Sequence, residues 1–540
     1  MQRLFLFIIG LFLFNSLPAQ QVQLVFSNLP IVVINTNGVN IPNEPKITAQ
    51  MSIIDNGPGK VNRLTDTPNG YNGAIGIEIR GSSSQGYEKK PYGIETRDAS
   101  GEDLDVPLLG MPEESDWALI SPLNDKTLMR DVLTHTYARS VMPWTPRTRY
   151  CEVVINNDYK GVYVLIETIK RDANRVAIKK LEAEDISGDK LTGGYILRMD
   201  KYGINGDLGG NWMSTYPPKP GAWQKTWFQY HYPKEGGIRS AQQVYIQKYI
   251  KDFEDMLMSS DYKSRYADWI DVNSWVDYLL VQELIKNTDG YRLSAYFYKN
   301  RDSEGGKLKM GPLWDFNIAF GIGDYCNGQD YRGWAKDFNN VCGEDQWQIH
   351  FWWDRLWQDP AFRDRVGRRW RELRQNTWST ERLITPIDSI VGVIGQARDR
   401  NFNRWPVLST YVWPNAYIGY SYENEVNYLR SWLVNRLGWL DANMNTLVDV
   451  HEPITSLQNI NVFPNPARGK VWIQAIQEQP DEVYDLSFYD ATGKLVLHQK
   501  RVSLLQAQEV QFPSGVAAGL YLWRLADEQG RIALGKVLLE

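Results

Sequence analysis

The stretch Asn287–Asn317 reads N-T-D-G-Y-R-L-S-A-Y-F-Y-K-N over 287–300, R-D-S-E-G-G-K over 301–307, and L-K-M-G-P-L-W-D-F-N over 308–317. Leu293, Ala295 and Phe297 alternate along its first half, Asp302 and Gly305-Gly306 mark a turn, and the apolar run then resumes, a pattern that predicts a β-hairpin. Asp289 and Asp315 lie equally far from Asp302 on either side. Antiparallel pairing therefore brings two carboxylates back to the same end of the hairpin, just beyond its last paired residues.

Two carboxylates at a strand end, with Asn287 and Asn317 as neutral oxygen donors, suit a hard cation such as Mg²⁺, which takes few protein ligands and leaves positions for phosphate oxygens. One aspartate can serve instead as a base. The plainer alternative is a pair of Asp residues capping turns beside a hairpin.

Working outward, the chain has 540 residues, more than one hydrophobic core usually supports, so two or more domains are expected. With 59 basic and 64 acidic residues the net charge is −5, and no Lys/Arg block of five appears, so nothing points to nucleic acid. Trp at 21 and Tyr at 30 are high counts, found in extracellular β-rich proteins and in sugar-binding surfaces alike. Arg3, the apolar run 4–14 and Asn15-Ser16-Leu17-Pro18-Ala19 have the form of a secretory signal peptide over 1–19. That run is too short to span a bilayer, and no other stretch is long enough, so the mature chain is expected to be exported without a transmembrane segment. Cys326 and Cys342 bracket a loop where an oxidising compartment permits a bridge, whereas Cys151 sits in an apolar strand pattern as a buried thiol. The five His show no zinc-ligand spacing, and no G-x-S-x-G occurs.

Residues 22–79 read as a β-layer. Arg80–Asp98, R-G-S-S-S-Q-G-Y-E-K-K-P-Y-G-I-E-T-R-D, sets a Gly/Ser-rich turn between two strands, and alternation sends either Lys89 or Lys90 inward. Backbone N–H groups of such a turn, with an ammonium nearby, can hold phosphate oxygens; a polar hairpin with surface lysines is the alternative. Asp116–Asp131 reads as a strand running into a helix that starts near Asp125 and carries on to about Ser140. Cys151–Thr168 is a second hairpin, turned at Asn156-Asn157-Asp158 and ending in Glu167, which either pairs with the strand lysine or is a solvated strand end. Helical spacing follows over 241–258 and 272–286, then over 360–376, 380–402 and 421–448. The composition changes at 451–458, and short alternating strands beyond it predict a small β-sandwich over 459–540.

The Arg80–Asp98 phrase, the Asp116–Arg130 segment, G-V-Y-V-L-I-E (161–167), N-T-D-G-Y and P-L-W-D-F-N together resemble the CotH family, atypical protein kinases related to a spore-coat protein. The resemblance covers roughly 25–450, within a domain expected over 20–450. It implies an α+β, reduced protein-kinase-like domain, β-rich first and helical after, that binds ATP with Mg and phosphorylates Ser or Thr hydroxyls of extracytoplasmic proteins. Carried over, Asp289 is similar to the catalytic aspartate and Asp315 to the metal-binding one, with Asn317 beside it. Arg80 and either Lys89 or Lys90 are then phosphate-holding groups, with Glu167 as the lysine's partner. Two positions depart from the family pattern: Ser294 stands where kinase logic wants a metal-binding Asn, and Asn317 where the family has an acid. A catalytically reduced surface protein, binding protein or glycan partners on the same scaffold, is the competing reading. V-F-P-N-P, D-A-T-G-K and G-L-Y near the end resemble the type IX secretion C-terminal sorting domain of Bacteroidetes, which implies the type IX machinery as a partner and a secreted or cell-surface destination.

Overall fold

The computed structural model describes residues 22–202, 210–448, 460–475, 483–504, 506–527 and 532–540; the expected signal peptide (1–19) and linker (451–458) lie outside the described residues. The chain divides into two units, Met1–Val448 and Asp449–Glu540.

In the first unit seven strands close into a barrel: β1 (Ile31–Asn35), β2 (Ile47–Ile54), β3 (Tyr71–Ile79), β4 (Tyr92–Arg97), β5 (Asp116–Ile120), β6 (Thr148–Ile155) and β7 (Asp158–Glu167). The order around it is β6-β7-β5-β4-β3-β2-β1. Alternate residues fill the interior, among them Val32 and Ile34, Met51 and Ile53, Ile75 and Ile77, Trp117 and Leu119, and Tyr163 and Leu165, as the two-residue period of a strand requires. Cys151 is buried there too, as its strand pattern predicts. Asn156 and Asn157 turn the β6–β7 hairpin with φ of 51° and 65°, the left-handed pair that suits a two-residue hairpin loop. The barrel closes through a parallel pairing of β1 with β6, from Ile31↔Glu152 to Ile34↔Ile155. The expected N-terminal β-layer is thus a closed barrel, because segments far apart in sequence pair where local patterning has no view.

A second, five-stranded sheet follows, made of β8 (Tyr195–Met199), β9 (Asn211–Met213), β10 (Trp227–Tyr232), β11 (Ala295–Lys299) and β12 (Leu308–Met310) in the order β9-β10-β8-β11-β12. The expected hairpin is β11–β12, paired Phe297↔Met310 and Lys299↔Leu308. Both faces of β11 are buried: Phe297 packs in the main core with Phe228 and Trp352, and Tyr296 joins Ile169, Val176 and Ile178 on the opposite side.

The longer helices are α1 (Arg130–Ala138), α2 (Ser240–Met258), α3 (Val272–Ile285), α4 (Pro360–Gln375), α5 (Thr380–Ile394), α6 (Ala397–Arg404) and α7 (Tyr422–Asn445). Ile246, Ile250, Phe253 and Leu257 form the buried stripe of α2. In α3, by contrast, every residue from Leu279 to Ile285 is buried, the mark of a central helix. Two expectations shift here. The helix expected near Asp125 begins at Arg130, because the Asp125 carboxylate accepts Thr127 N (3.0 Å) and Arg130 N (2.8 Å) and holds 125–129 as a turn. The single segment 380–402 is two helices, broken at Gly395 with φ 50°.

In the second unit, β13 (Ile460–Phe463), β14 (Lys470–Ala475) and β17 (Gln508–Gln511) form one antiparallel sheet, in the order β13-β14-β17. A second antiparallel sheet runs β16 (Leu495–Ser503), β15 (Val483–Tyr489), β18 (Gly519–Asp527), β19 (Ile532–Leu539). Val471, Ile473, Leu486, Phe488, Val510, Leu525 and Val537 share one core between them, as a small sandwich requires. The whole is a mixed α/β chain, sheet-rich first, helical after, with sandwich-like sheets at the end.

Candidate functional site

A cleft of about 790 Å³ in the first unit takes its walls from the Gly/Ser turn between β3 and β4, the edge of the barrel, the end of β8, and both arms of the β11–β12 hairpin. Gly81 opens that turn at φ 92°, and a Cβ there would collide with the Ser84 hydroxyl, so the close turn demands glycine. Asp289, Asp315 and Asn317 all line the cleft, as does Arg80. The hairpin therefore delivers its two aspartates to one place.

The polar residues of 287–317 hold the two arms. Lys286 ends α3 in left-handed backbone, and its ammonium donates to the carbonyls of Asp330 and Arg332, both at 2.6 Å. Asn287 Nδ2 donates to the Asp315 carbonyl (3.1 Å), while Asn287 Oδ1 accepts the Asp289 N–H (3.3 Å). Asn287, expected as a cleft oxygen donor, instead clips the two arms together from beneath; its side-chain atoms are spent on backbone. On the other arm Asp315 sits at φ 69°, and the next N–H, of Phe316, donates to Asp131 Oδ1 on α1 (2.9 Å).

Solvent reaches Asp315 through the cleft mouth, yet protein crowds it on the other sides. Lost hydration is the largest effect on its carboxyl, reinforced by the Asp289 and Asp200 charges; together they push its pKa up to about 6 against the pull of Arg80 and Lys201. Asp131 is pushed up to about 7, by burial first and the Asp315 charge second. Arg80 lays its guanidinium over the Trp314 ring, 5.0 Å from the centroid. Burial lowers its pKa, but an arginine remains cationic.

Neither lysine of the Gly/Ser phrase lines the cleft. Lys89 is buried between β7 and α6, donating to the Val162 carbonyl (2.5 Å) and Asn401 Oδ1 (2.9 Å) beside the Tyr163 ring, and burial pulls its pKa down to about 7. Lys90 Nζ donates to the Gln85 carbonyl (2.5 Å). Alternation does send one lysine inward, but against a helix that crosses the barrel rather than toward the carboxylates. Glu167 is fully buried and bound by Arg147, through the guanidinium (2.7 Å) and the backbone N–H (2.8 Å), so it partners neither lysine.

Asp200 is a cleft carboxylate that the sequence pattern did not single out. Asp200 follows β8, whose register Met199↔Ala295 sets it beside Ser294, and it lines the cleft with Arg198 and Lys201. Its carboxyl is raised by burial, with Asp289 adding to the effect and Arg198 opposing it. The available signal was an acid at a strand end, the same that singled out Asp289 and Asp315. An oxygen donor thus stands next to the position where Ser294 supplies none of carboxylate or amide type. The donor set of Asp200, Asp289, Asp315 and Asn317 is all hard oxygen, as Mg²⁺ prefers. Among the described residues the three carboxylates are not drawn within 4.8 Å of one another. The trio that is, Cys326, Cys342 and Asp345, has its sulfurs in the expected disulfide, Cα–Cα 5.4 Å, and so offers no thiolate.

The CotH kinase protein model matches residues 77–440, more than half of the chain, and the chain belongs to that family. Residues 461–540 match the secretion system C-terminal sorting domain. That domain marks a chain handled by the type IX machinery and destined for secretion and the cell surface. No helix among the described residues is long and apolar enough to cross a membrane. No curated protein gives a match. Among solved structures the chain is similar to PorZ of Porphyromonas gingivalis, described as an essential bacterial surface component of the type-IX secretion system. The identity is 22%, over 17% of this chain and 12% of PorZ, with a TM-score of 0.14. It is also similar to CopC from Methylosinus trichosporium OB3b, at 18% identity over 15% of this chain and 91% of that one, TM-score 0.11. At such scores neither bears on the fold.

Proposed function

We propose that this protein is a secreted phosphotransferase on a reduced kinase-like scaffold, moving the terminal phosphoryl group of ATP to a hydroxyl, of Ser or Thr in an extracytoplasmic protein. The observation that carries the reading is the convergence of Asp289 and Asp315, from opposite arms of one hairpin, on a cleft that also holds Arg80. A carboxyl pushed up to about 6 by its acidic neighbours is one that a divalent cation would relieve. Asp315 and Asn317 would hold Mg²⁺, with Asp200 as a further donor; when bound, the ion neutralises charge on the phosphates. Arg80, on Trp314, and Lys201 face the same space as phosphate-holding cations in place of the two lysines, and the N–H groups of the 81–84 turn add donors. Asp289 accepts the acceptor hydroxyl's proton as that oxygen bonds to the terminal phosphorus and the bridging oxygen leaves with the nucleoside diphosphate.

Calorimetry with Mg-ATP and transfer from γ-labelled ATP test this. Binding is expected in the wild type and lost in Asp315→Ala; labelling is expected to vanish in Asp289→Asn while binding persists. Retained labelling in Asp289→Asn removes Asp289 from the mechanism. A second reading, a surface binding protein without transfer, draws support from the placement of Lys89 and Lys90 outside the cleft and from the exposed Trp413 that lines it; silence toward Mg-ATP favours it.

A further inference from the structure

Asp289 sits in 287–294, a segment outside any helix or strand, with Tyr291 and Ser294 in left-handed backbone at φ 69° and 47°. Its backbone is tied by Asn287, but Asn287 does nothing to its carboxylate. Two donors reach that carboxylate, and both choose the same oxygen. Arg292 Nη2 donates to Asp289 Oδ1 at 2.5 Å, and the Tyr325 hydroxyl approaches Oδ1 at 3.4 Å. Oδ2 has no hydrogen-bond donor among the described residues.

The two donors belong to one frame. The Arg292 side chain is 2% exposed, and three further N–H groups are committed: Nε to the Thr288 carbonyl (3.1 Å), Nη1 to the Trp347 carbonyl (3.0 Å) and to Asp345 Oδ1 (3.2 Å). Its guanidinium lies over the Phe338 ring at 4.1 Å. Phe338 lies within the loop closed by Cys326–Cys342, Tyr325 just before it, and Asp345 and Trp347 just after. Tyr325 in turn stacks on Trp413 (5.8 Å, 15° between planes), whose carbonyl accepts the Tyr87 hydroxyl (2.6 Å) from beyond the Gly/Ser turn. Burial and the Asp289 charge raise the Tyr325 pKa, so the phenol stays a donor.

We infer that Arg292 and Tyr325 are positioning residues for the transfer reaction: by holding Oδ1, Arg292 braced against the disulfide-closed loop and Tyr325 at its start, they fix the carboxylate so that Oδ2 is the proton-accepting atom. This rests on the phosphotransferase reading and goes beyond it, because it assigns the basic atom and the frame that orients it. A charged hydrogen bond from a buried guanidinium anchored at three other N–H groups resists rotation of the carboxylate far better than solvent does. A misplacement of the order of an ångström at such a group costs roughly a hundredfold in rate.

The test compares full-length wild type with Tyr325→Phe, Arg292→Gln, Arg292→Lys and the Cys326→Ser/Cys342→Ser pair. ATP hydrolysis with water as acceptor gives kcat, calorimetry gives the Mg-ATP Kd, and circular dichroism checks folding. The expected result is a kcat lowered about tenfold to a hundredfold in Arg292→Gln and severalfold in Tyr325→Phe and the serine pair, partial rescue in Arg292→Lys, and a Mg-ATP Kd within about twofold of wild type throughout. General loosening of the fold would move both quantities. Tyr325→Phe leaves the buried ion pair intact and keeps the test valid should Arg292→Gln fail to fold. A folded Tyr325→Phe with wild-type kcat, or a kcat and Kd that worsen together, overturns the inference while the phosphotransferase reading stands. A wild type that binds Mg-ATP without turning it over removes the reading itself, and the positioning role with it.

Discussion

Asp131→Asn gives the sharpest check on the electrostatics around the Asp315 arm. The residue is 6% exposed, and its carboxyl accepts the Phe316 N–H and holds its proton up to about pH 7, against an ordinary aspartate value of 3.8. Because the folded value is raised, the unfolded chain ionises first as pH climbs. Stability relative to an unionisable residue is therefore kept below about pH 4 and lost progressively until about pH 7. A rise from 3.8 to about 7 corresponds to on the order of 4 kcal/mol at about pH 8, an upper bound that relaxation and water entry reduce. Asparagine keeps an oxygen for Phe316 and cannot ionise. Urea unfolding, followed by tryptophan fluorescence at about pH 4 and about pH 8, is expected to give matching midpoints for variant and wild type at the lower pH, and a higher midpoint for the variant at the upper. An Asp131→Asn protein less stable than wild type at about pH 8 refutes the reasoning, since it would mean that the carboxylate is ionised and favourable where it lies.

Arg80→Ala is expected to weaken Mg-ATP roughly tenfold by calorimetry, by the loss of one charged contact, while Lys89→Met leaves the affinity within about twofold, since Lys89 does not line the cleft. Asn287→Ala removes both the donor to the Asp315 carbonyl and the acceptor of the Asp289 N–H; a loss of about 1–3 kcal/mol in unfolding free energy is expected, together with slower turnover. Arg147→Ala leaves Glu167 buried without its guanidinium, and a destabilisation of roughly 3–5 kcal/mol is expected by urea unfolding.

Much of this architecture was legible in the linear text. Alternation and turn residues located the β6–β7 and β11–β12 hairpins, and helical spacing located α2, α3, α4 and α7. The equal offset of Asp289 and Asp315 from the turn brought both to one end even though the true register centres one to two residues later, since sliding a hairpin along itself does not exchange its ends. The Cys326–Cys342 pairing was likewise visible as two cysteines bracketing one loop in a chain with the form of an exported protein.

What local pattern cannot carry is which face of a strand meets which distant element. Alternation required one of Lys89 and Lys90 to point inward, but only the helix Ala397–Arg404, packed across β7, determined that inward meant Asn401 and the Val162 carbonyl rather than phosphate. Glu167 went to Arg147 for the same reason. Asp200 joined the carboxylates only because β8 pairs with β11, an adjacency between strands almost a hundred residues apart, and Arg292, a local neighbour of Asp289, is buried and anchored by Phe338, Asp345 and Trp347 far along the chain. Sequence by itself set the strands, the turns and the chemistry of the hairpin ends, because those follow from short-range sterics and period. Tertiary packing alone decided which charges share the cleft, because burial and Coulomb interactions act between neighbours in space wherever they fall along the chain.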